Sequence, residues 1–383
     1  MFISISCASG ALLCFAALAS CRPNGASRPL ALGAPHVSER GDLASVCPDA
    51  LPAGTPDEDR DDLDDECEQV LAERFAPVVY HSTDETNFPT RVERILENTT
   101  LYFYDDDCSP NQVEALHASP TQRELVGAGH AASCGTHAGA FSDGTRSLRK
   151  HRTFFLADVA NARRAGSADA REWTTYFHAY KNDIGGVTVQ YWRVYAYNHA
   201  LNNHGGDWEG IHVVLDASLA MQSVRLLGHA SIEEMPALEL TREGTHPRVF
   251  SEAGGHATRA SGEEVRARGC AFGDACTIDV ADARTFVRQE TWSGGEVRGA
   301  DRTASKGGAL VNLGAKEHPM NGQLFVRYSG LWGSPGVLYG TSGYWGPAFN
   351  ETGMTDDGFV TAWCAGMAGA ALEAECYAPT VSR

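Results

Sequence analysis

The stretch that decides the fold runs from residue 176 to residue 197 and reads YFHAYKNDIGGVTVQYWRVYAY. Residues 176–180 and 187–197 are rich in aromatic and β-branched side chains, which favour strands. The residues between these two runs include Asn-Asp-Ile-Gly-Gly, a composition typical of a turn. The whole stretch therefore predicts a β-hairpin.

On both sides of this hairpin, short strand-like runs alternate with turn residues along most of the chain. The further predicted strands are residues 78–81, 211–215, 224–229, 248–251 and 323–328. The predicted helices are residues 64–75 and 156–165. Many short strands with few helices predict a mainly all-β chain, folded as a β-sandwich with a few peripheral helices and stapled by disulfides.

Charge and composition restrict the class of protein. The chain has 383 residues, with 49 Asp and Glu against 31 Lys and Arg, and its formal net charge is −18. A general nucleic-acid binder needs a cationic face to neutralise phosphates, so no nucleic-acid partner is expected. The sequence also lacks the glycine-rich nucleotide-binding motifs and the G-x-S-x-G motif of serine esterases.

The N-terminus predicts export. Residues 2–19 are small and apolar, and residues 18–21, Leu-Ala-Ser-Cys, match a lipobox. We expect residues 1–20 to be a lipoprotein signal peptide and Cys21 to carry the lipid, with an ordinary cleaved signal peptide as the alternative. Arg22 follows the cysteine, where inner-membrane lipoproteins commonly have Asp. The predicted location is therefore the bacterial outer membrane or cell surface, with a lipid anchor.

Three segments follow the signal peptide. Residues 21–56 are rich in Ala, Pro, Gly and Ser and are predicted to be a tether. Residues 57–69 form an acidic segment that is similar to a calcium loop. Residues 70–383 are predicted to form the β-sandwich domain.

The cysteines agree with export. Two of the eleven leave with the signal peptide and Cys21 is the lipid site, so eight remain, an even number that fits an oxidising compartment. Pairing neighbours along the chain predicts the disulfides Cys47–Cys67, Cys108–Cys134, Cys270–Cys276 and Cys364–Cys376. A structural zinc site is the weaker alternative, because the chain has no C-x-x-C motif.

Residues 204–209, His-Gly-Gly-Asp-Trp-Glu, are the main candidate site. If a strand begins at Asp207, then Asp207 and Glu209 share one face and Trp208 lies on the other. Two carboxylates this close repel each other unless a cation or a proton neutralises them. With the imidazole of His204 folded back across the glycines, they predict a mixed nitrogen and oxygen site for a divalent ion. The alternative is an exposed acidic strand end with Trp208 in the core.

The same segment resembles two families. His-x-x-Asp-Trp-Glu after an aromatic strand resembles the vacuolar protein sorting protein sixty-two-like family. Further segments similar to that family are residues 74–90, which include Tyr80, Glu85 and Pro89, and residues 244–259, 327–333 and 345–349. The hexad also resembles the Gly-His-Arg-His-Asp-Trp-Glu heptad of the necrosis-inducing cytolysins.

The cytolysin resemblance implies a β-sandwich whose motif binds a divalent cation and recognises sphingolipid glycan headgroups. By this resemblance His204, Asp207 and Glu209 match the metal ligands. Gly206 stands in place of the second His of the heptad, and a further upstream Asp of the cytolysins has no clear counterpart. The resemblance to the larger family implies a fold and a site, but no reaction.

His256 and His229 are further candidate metal ligands. His256 follows two glycines, which permit a close backbone approach beside a ligand, and His229 ends a predicted strand. A structural, hydrogen-bonded role remains open for both residues. If these imidazoles converge with Asp207 and Glu209, a bound calcium, magnesium or zinc ion would lower the pKa of a bound water and activate it.

The acidic segment is an independent candidate site. Asp57, Asp59 and Asp61 occupy positions 1, 3 and 5 of a calcium loop, and Glu68 falls at position 12. The segment is also similar to the Asp-rich calcium repeats of thrombospondin-type proteins. Asp62 stands where a calcium loop has Gly, and Asp tolerates the left-handed conformation better than most residues do. A solvated acidic linker is the alternative.

These features favour an exported surface lipoprotein whose β-sandwich binds a divalent metal and a glycan or lipid headgroup. A metal-dependent, phosphoesterase-like hydrolase is a second hypothesis, although no base or nucleophile can be recognised in the sequence. A third hypothesis is a cytolysin-like secreted effector, and a fourth is a structural envelope protein in which the hexad is only core.

Overall fold

A computed structural model of the chain describes Cys47 and residues 55–105, 113–127, 129–132, 135–138, 152–199, 203–228, 231–262, 286–299, 301, 303–334 and 345–349. All of these residues lie within one compact unit, Glu39–Arg383.

The described residues are mainly β-strand, which confirms the predicted fold class. The helices are α1 (Asp65–Phe75), α2 (Val92–Leu96) and α3 (Gln122–Gly127). The strands are β1 (Val78–Ser82), β2 (Pro89–Thr90), β3 (Thr100–Asp105), β4 (Val113–Ala118), β5 (Gly129–Ala132), β6 (Gly135–Ala138), β7 (Arg152–Ala157), β8 (Thr175–Lys181), β9 (Val187–Asn198), β10 (His204–Leu215), β11 (Met221–Gly228), β12 (Ser231–Pro236), β13 (Arg242–Glu243), β14 (His246–Ser251), β15 (Thr258–Arg259), β16 (Phe286–Glu290), β17 (Glu296–Arg298), β18 (Ala304–Lys306) and β19 (Leu310–Asn312). Short 3-10 turns occur at Asn161–Arg163, Ala170–Glu172, Leu324–Arg327 and Pro347–Phe349.

Two sheets form the body of the described structure. The first has the strand order β13-β14-β1-β16-β17-β18, and β15 pairs with β14. The second has the order β12-β11-β10-β9-β8-β19, and β2 pairs with β9. Strands β8 and β9 pair antiparallel, with Tyr176 opposite Trp192, so the predicted hairpin is confirmed.

The second sheet is buried on both faces. The odd-numbered positions Val187, Val189 and Tyr191 of β9 share an apolar cluster with Val79 and Val249 of the first sheet. The even-numbered residues Trp192, Val194 and Ala196 of β9 and Trp208 of β10 belong to a second apolar cluster. Side chains alternate between faces along a strand, so the two clusters follow from the period-2 pattern of the sequence. The first cluster is the core between the two sheets.

Helix α1 closes one side of this core. The Asp64 side chain caps the helix by accepting hydrogen bonds from the backbone N–H groups of Glu66 and Cys67. Leu71 and Phe75 are buried in the inter-sheet cluster. The predicted helix at residues 64–75 is thus confirmed, and so is the predicted disulfide between Cys47 and Cys67.

Two predicted elements are wrong. Residues 156–165 do not form a helix, because Arg152–Ala157 pairs as β7 with β3 and Asp158 has a positive φ of 68° directly after the strand. Residues 323–328 are not a strand but contain the turn Leu324–Arg327. In that turn the neighbours Phe325 and Val326 are both buried, which the alternation of a strand facing one core does not allow.

Several predictions lie outside the described residues and stay predictions. These are the lipid site Cys21, the ligand His229 and the disulfides of Cys108, Cys134, Cys270, Cys276, Cys364 and Cys376. Within the described part of the chain, no helix combines the length and the apolar character needed to cross a membrane.

Candidate functional site

The candidate site extends the buried core between the sheets toward the end of the sandwich where β10 begins. In the antiparallel register Tyr195 lies opposite Asp207, and Arg193 lies opposite Glu209. Opposed residues share a face, and this odd-numbered face is the one that carries Tyr191 into the inter-sheet core. All four side chains are buried. The charged side chains of Arg193, Asp207 and Glu209 therefore lie on the same face of the sheet as the apolar side chains of the inter-sheet core.

Asp207 is the centre of a hydrogen-bonded cluster. Its Oδ2 lies 2.8 Å from His256 Nδ1 and accepts a hydrogen bond from Asn198 Nδ2 at 3.1 Å. Its Oδ1 lies 3.5 Å from His204 Nε2. Each oxygen of this carboxylate thus faces a different imidazole. The structure brings His204, Asp207 and His256 together.

Gly206 shapes the start of β10. It has a positive φ of 60°, which L-residues with a Cβ rarely adopt, and a Cβ there would overlap the carbonyl oxygen of Trp332. The strand consequently begins at His204 and not at Asp207. The close approach of Trp332 also explains why a second histidine of the cytolysin heptad cannot stand at position 206.

His256 enters from the first sheet, in the turn that joins β14 to β15. Its φ is 58°, and its backbone N–H donates to the carbonyl of Glu252 at 2.9 Å. Its ring stacks on Tyr195, with centroids 3.8 Å apart and an interplanar angle of 6°. A non-glycine residue held with positive φ is uncommon and is seen where the surroundings fix it. Here the stacking and the Asp207 contact fix the imidazole.

Glu85 completes the cluster, although it was not predicted as a site residue. Its Oε1 lies 3.7 Å from His256 Nε2 and accepts from the backbone N–H of Asn87 at 2.7 Å, while Oε2 accepts from the N–H of Gly254 at 2.8 Å. It lies in the loop between β1 and β2, about 120 residues before Asp207 in the sequence. The one sequence signal for it was its place in the segment resembling the vacuolar sorting family.

Burial and these contacts shift the pKa values in opposite directions. Burial acts to raise the pKa of Asp207, but the hydrogen bonds from His204 and His256 outweigh it and hold that pKa below its usual range. Burial acts to lower the pKa of His256, but the negative charges of Glu85 and Asp207 outweigh it and raise that pKa to about 9. Burial and the charge of Asp207 raise the pKa of Glu209 well above its usual value. The site therefore holds an Asp207–His256 ion pair beside a carboxyl group that favours its neutral form.

The two candidate metal sites differ in how close together their possible ligand atoms lie. Among the described residues, candidate ligand atoms within 4.8 Å of one another occur in two sets, Asp57, Asp59 and Asp61, and Asp59, Asp65 and Glu68. The cluster around Asp207 does not form such a set. A divalent ion at Asp207 would require these side chains to close in and would replace the proton shared by His256 and Asp207.

Comparisons with known proteins give the following matches. No protein-family model and no curated protein matches the sequence. Among solved structures, the necrosis and ethylene inducing protein 2 from the causal agent of cocoa's witches' broom disease is similar at 14% identity, over 50% of this chain and 67% of that chain, with a TM-score of 0.28. NLPPya in complex with glucosamine is similar at 14% identity, over 56% of this chain and 73% of that chain, with a TM-score of 0.28.

A third structure, described as a toxin fold for microbial attack and plant defense, is similar at 14% identity over 52% of this chain and 66% of that chain, with a TM-score of 0.26. The structural neighbours are thus proteins of the necrosis-inducing type. The resemblance to the vacuolar protein sorting sixty-two-like family rests on the sequence segments alone.

Proposed function

We propose that this chain is an exported, cytolysin-like effector that binds a glycan or lipid headgroup through a divalent cation held beside Asp207. The observation that carries the proposal is the convergence of Glu85 and Asp207 with the imidazoles of His204 and His256 in one buried cluster, with the buried Glu209 two residues along the same strand face. Carboxylate and imidazole groups are the donors that hard and borderline divalent ions take in proteins.

The electrostatics of the cluster support a cation there. A neutral Glu209 next to an ionised Asp207 means that a proton now offsets part of the carboxylate charge. A divalent ion offsets the same charge and releases that proton, so the ion and the proton compete. The heptad resemblance supports the same ligands, His204, Asp207 and Glu209.

A cation in this position would supply an anchor for sugar hydroxyl groups or for an anionic headgroup. The chain's own residues would fix the cation by holding Asp207 between two imidazoles. Calcium and magnesium are candidate ions because of the carboxylate oxygens, and zinc is a candidate because of the imidazole nitrogens.

Export and anchoring form a second part of the proposal. Lipid attachment at Cys21 would place the effector on the bacterial outer membrane or cell surface, and a chain without the lipid would be secreted. Labelling with a radioactive fatty acid tests this point, because Cys21→Ser should lose a label that the wild type carries. A label that persists in Cys21→Ser would remove the lipoprotein part and leave the binding proposal intact.

The binding experiment uses the full chain, freed of metal with a chelator. Each of the three ions is titrated by calorimetry, followed by glucosamine, by mannosamine, and by vesicles with and without a glycosylated sphingolipid. All proteins carry Glu68→Gln, which weakens ion binding by the acidic segment, so that any remaining signal from that segment is the same in every variant. A truncation at residue 70 is unsuitable for this purpose, because it would cut through α1.

Asp207→Asn and Glu209→Gln should each weaken metal binding at least tenfold and abolish metal-dependent headgroup binding. Trp208→Phe is the matched control, because Trp208 belongs to the apolar cluster on the opposite face of the sheet. Metal binding of unchanged strength in Asp207→Asn and Glu209→Gln would refute the site. Metal binding without any response to sugars or vesicles would refute the headgroup part.

A further inference from the structure

The acidic segment in front of α1 is folded as a loop around its own carboxylates. Candidate ligand atoms of Asp57, Asp59 and Asp61 lie within 4.8 Å of one another, and so do those of Asp59, Asp65 and Glu68. The shared member, Asp59, is fully buried. The two sets therefore form one cluster of five carboxylates.

The backbone of this loop follows the spacing of a calcium loop. The five carboxylates fall at positions 1, 3, 5, 9 and 12. At position 6, where such loops need a sharp turn, Asp62 has a left-handed φ of 69°. Asp61 N–H donates to Asp57 Oδ1 at 3.2 Å and Leu63 N–H donates to Asp61 Oδ1 at 2.7 Å, and these bonds hold the loop closed.

Glu68 gives the independent sign of a ligand. Its side chain has no exposed surface, and its Oε2 accepts a hydrogen bond from Asn312 Nδ2 at 2.8 Å. Its Oε1 is also buried and has no hydrogen-bond partner among the described residues. A buried carboxylate oxygen without a donor is strongly unfavourable, and a bound cation is one way to satisfy it.

The local charges point the same way. Asp59 and Glu68 are buried, and Asp57, Asp61 and Asp65 are only partly exposed. The negative charges of these five carboxylates are therefore close together and only partly screened by solvent. The N-terminus of α1 supplies only about half a positive charge, which is too little for five carboxylates.

We propose that Asp57, Asp59, Asp61, Asp65 and Glu68 bind one calcium ion that latches α1 onto the sandwich. Calcium is the ion chosen because every donor is an oxygen and the loop is irregular, whereas magnesium demands near-ideal octahedral geometry and zinc favours nitrogen and sulfur ligands. This site is separate from the Asp207 cluster and does not depend on the proposed function.

The position of the loop defines what the ion would do. Cys67, in the first turn of α1, is bonded to Cys47, and Asn312 ties Glu68 to β19. A cation held by Asp59, Asp65 and Glu68 joins the loop, the helix and, through Asn312, the sheet edge at one point. Calcium should therefore stabilise the packing of α1 against the second sheet.

The test compares the melting temperature of the full chain in chelator with that in millimolar calcium or magnesium. Calcium should raise the melting temperature of the wild type, as a ligand specific for the native state does, and magnesium should raise it much less. Glu68→Gln should raise the calcium dissociation constant at least tenfold in calorimetry. The matched control is Glu66→Gln, which removes the same charge from the exposed face of the same helical turn and should keep the calcium response.

A structural role without calcium predicts a different result. Glu68→Gln removes a buried, repelled charge, so in chelator its melting temperature should equal or exceed that of the wild type. A Glu68 needed only for packing would give a lower melting temperature with and without calcium, and that outcome would overturn the proposal. No calcium response in the wild type, or an equal response in Glu68→Gln, would overturn it as well. Asp207→Asn should keep the response, which separates this site from the Asp207 cluster.

Discussion

Gly206→Ala should destabilise the chain far more than a single added methyl group normally does. Gly206 has a φ of 60°, and its missing Cβ leaves the space that the carbonyl oxygen of Trp332 fills. The substitution therefore combines an unfavourable backbone conformation with a backbone collision, and a backbone carbonyl cannot turn aside as a flexible side chain can.

The magnitude follows from these two effects. The left-handed conformation costs a residue with a Cβ about 1–2 kcal/mol. Forcing apart β10 and the segment that contains Trp332 adds about 1–3 kcal/mol, as overpacking of a well-packed site does. The free energy of unfolding should then fall by about 2–5 kcal/mol. With an unfolding entropy of about 2.1 cal/mol/K per residue, this corresponds for a chain of this size to a melting temperature lower by about 2–6 °C.

Gly205→Ala is the matched control for this measurement. A Cβ at Gly205 would meet its nearest atoms, Gly333 Cα and Val159 Cγ2, at an ordinary 3.8 Å. Its effect should stay within about 0.5 kcal/mol. Thermal and urea unfolding of both variants decide the matter. Equal stability of the two variants would show that the strand does not approach Trp332 as described, and the position of His204 over Asp207 would lose its explanation.

The other predictions concern the disulfide, the ion pair and the core. Replacing Cys47 and Cys67 together by Ser should lower the free energy of unfolding by about 3 kcal/mol, because the bond closes a loop of 20 residues; unchanged urea unfolding would contradict this. In chelator, the stability that His256 contributes should be complete below about pH 6.5 and lost as the pH rises through about 9, since its folded pKa is raised. His256→Gln should remove that loss from a series of unfolding curves, and a wild type equally stable at both ends of the range would refute the ion pair. Trp208→Phe should lower the free energy of unfolding by about 1–2 kcal/mol, because the Trp208 ring packs against Phe325 and two further aromatic rings; a metal response that also changes would contradict its place on the opposite face.

Several features of this protein could be predicted from the sequence because they depend on neighbours along the chain. The aromatic and β-branched composition of residues 187–197 predicts a strand of a hairpin, and the period of two along a strand puts Asp207 and Glu209 on one face. The capped helix after the acidic segment and the Cys47–Cys67 bond also follow from local spacing. These predictions hold because side-chain direction in a strand or a helix is set by backbone geometry alone.

Local pattern failed where tertiary contacts decide the conformation. Residues 156–165 have a helix-like composition, but residues 156 and 157 pair with β3 as the end of strand β7. Residues 323–328 have a strand-like composition, but they contain a 3-10 turn in which Phe325 and Val326 are both buried. The strand predicted at residues 211–215 is too short, because β10 pairs with β9 from His204 onward. The glycine at position 206 leaves room for the carbonyl group of Trp332 beside this strand, and that contact cannot be read from the sequence.

The candidate site shows the same division. The sequence identified His204, Asp207, Glu209 and His256 by residue type and spacing, but it could not show that Asp207 lies between two imidazoles or that Glu85 holds the second one. The contacts of His256 with Asp207 and Glu85 join a turn, a strand and a loop that are distant along the chain, and the packing of the two sheets brings their atoms to 2.8 Å and 3.7 Å from each other. The sequence determined which side chains point into the core, because side-chain direction alternates along each single strand. The tertiary structure decided which of these side chains contact each other, because those contacts depend on how the two sheets pack.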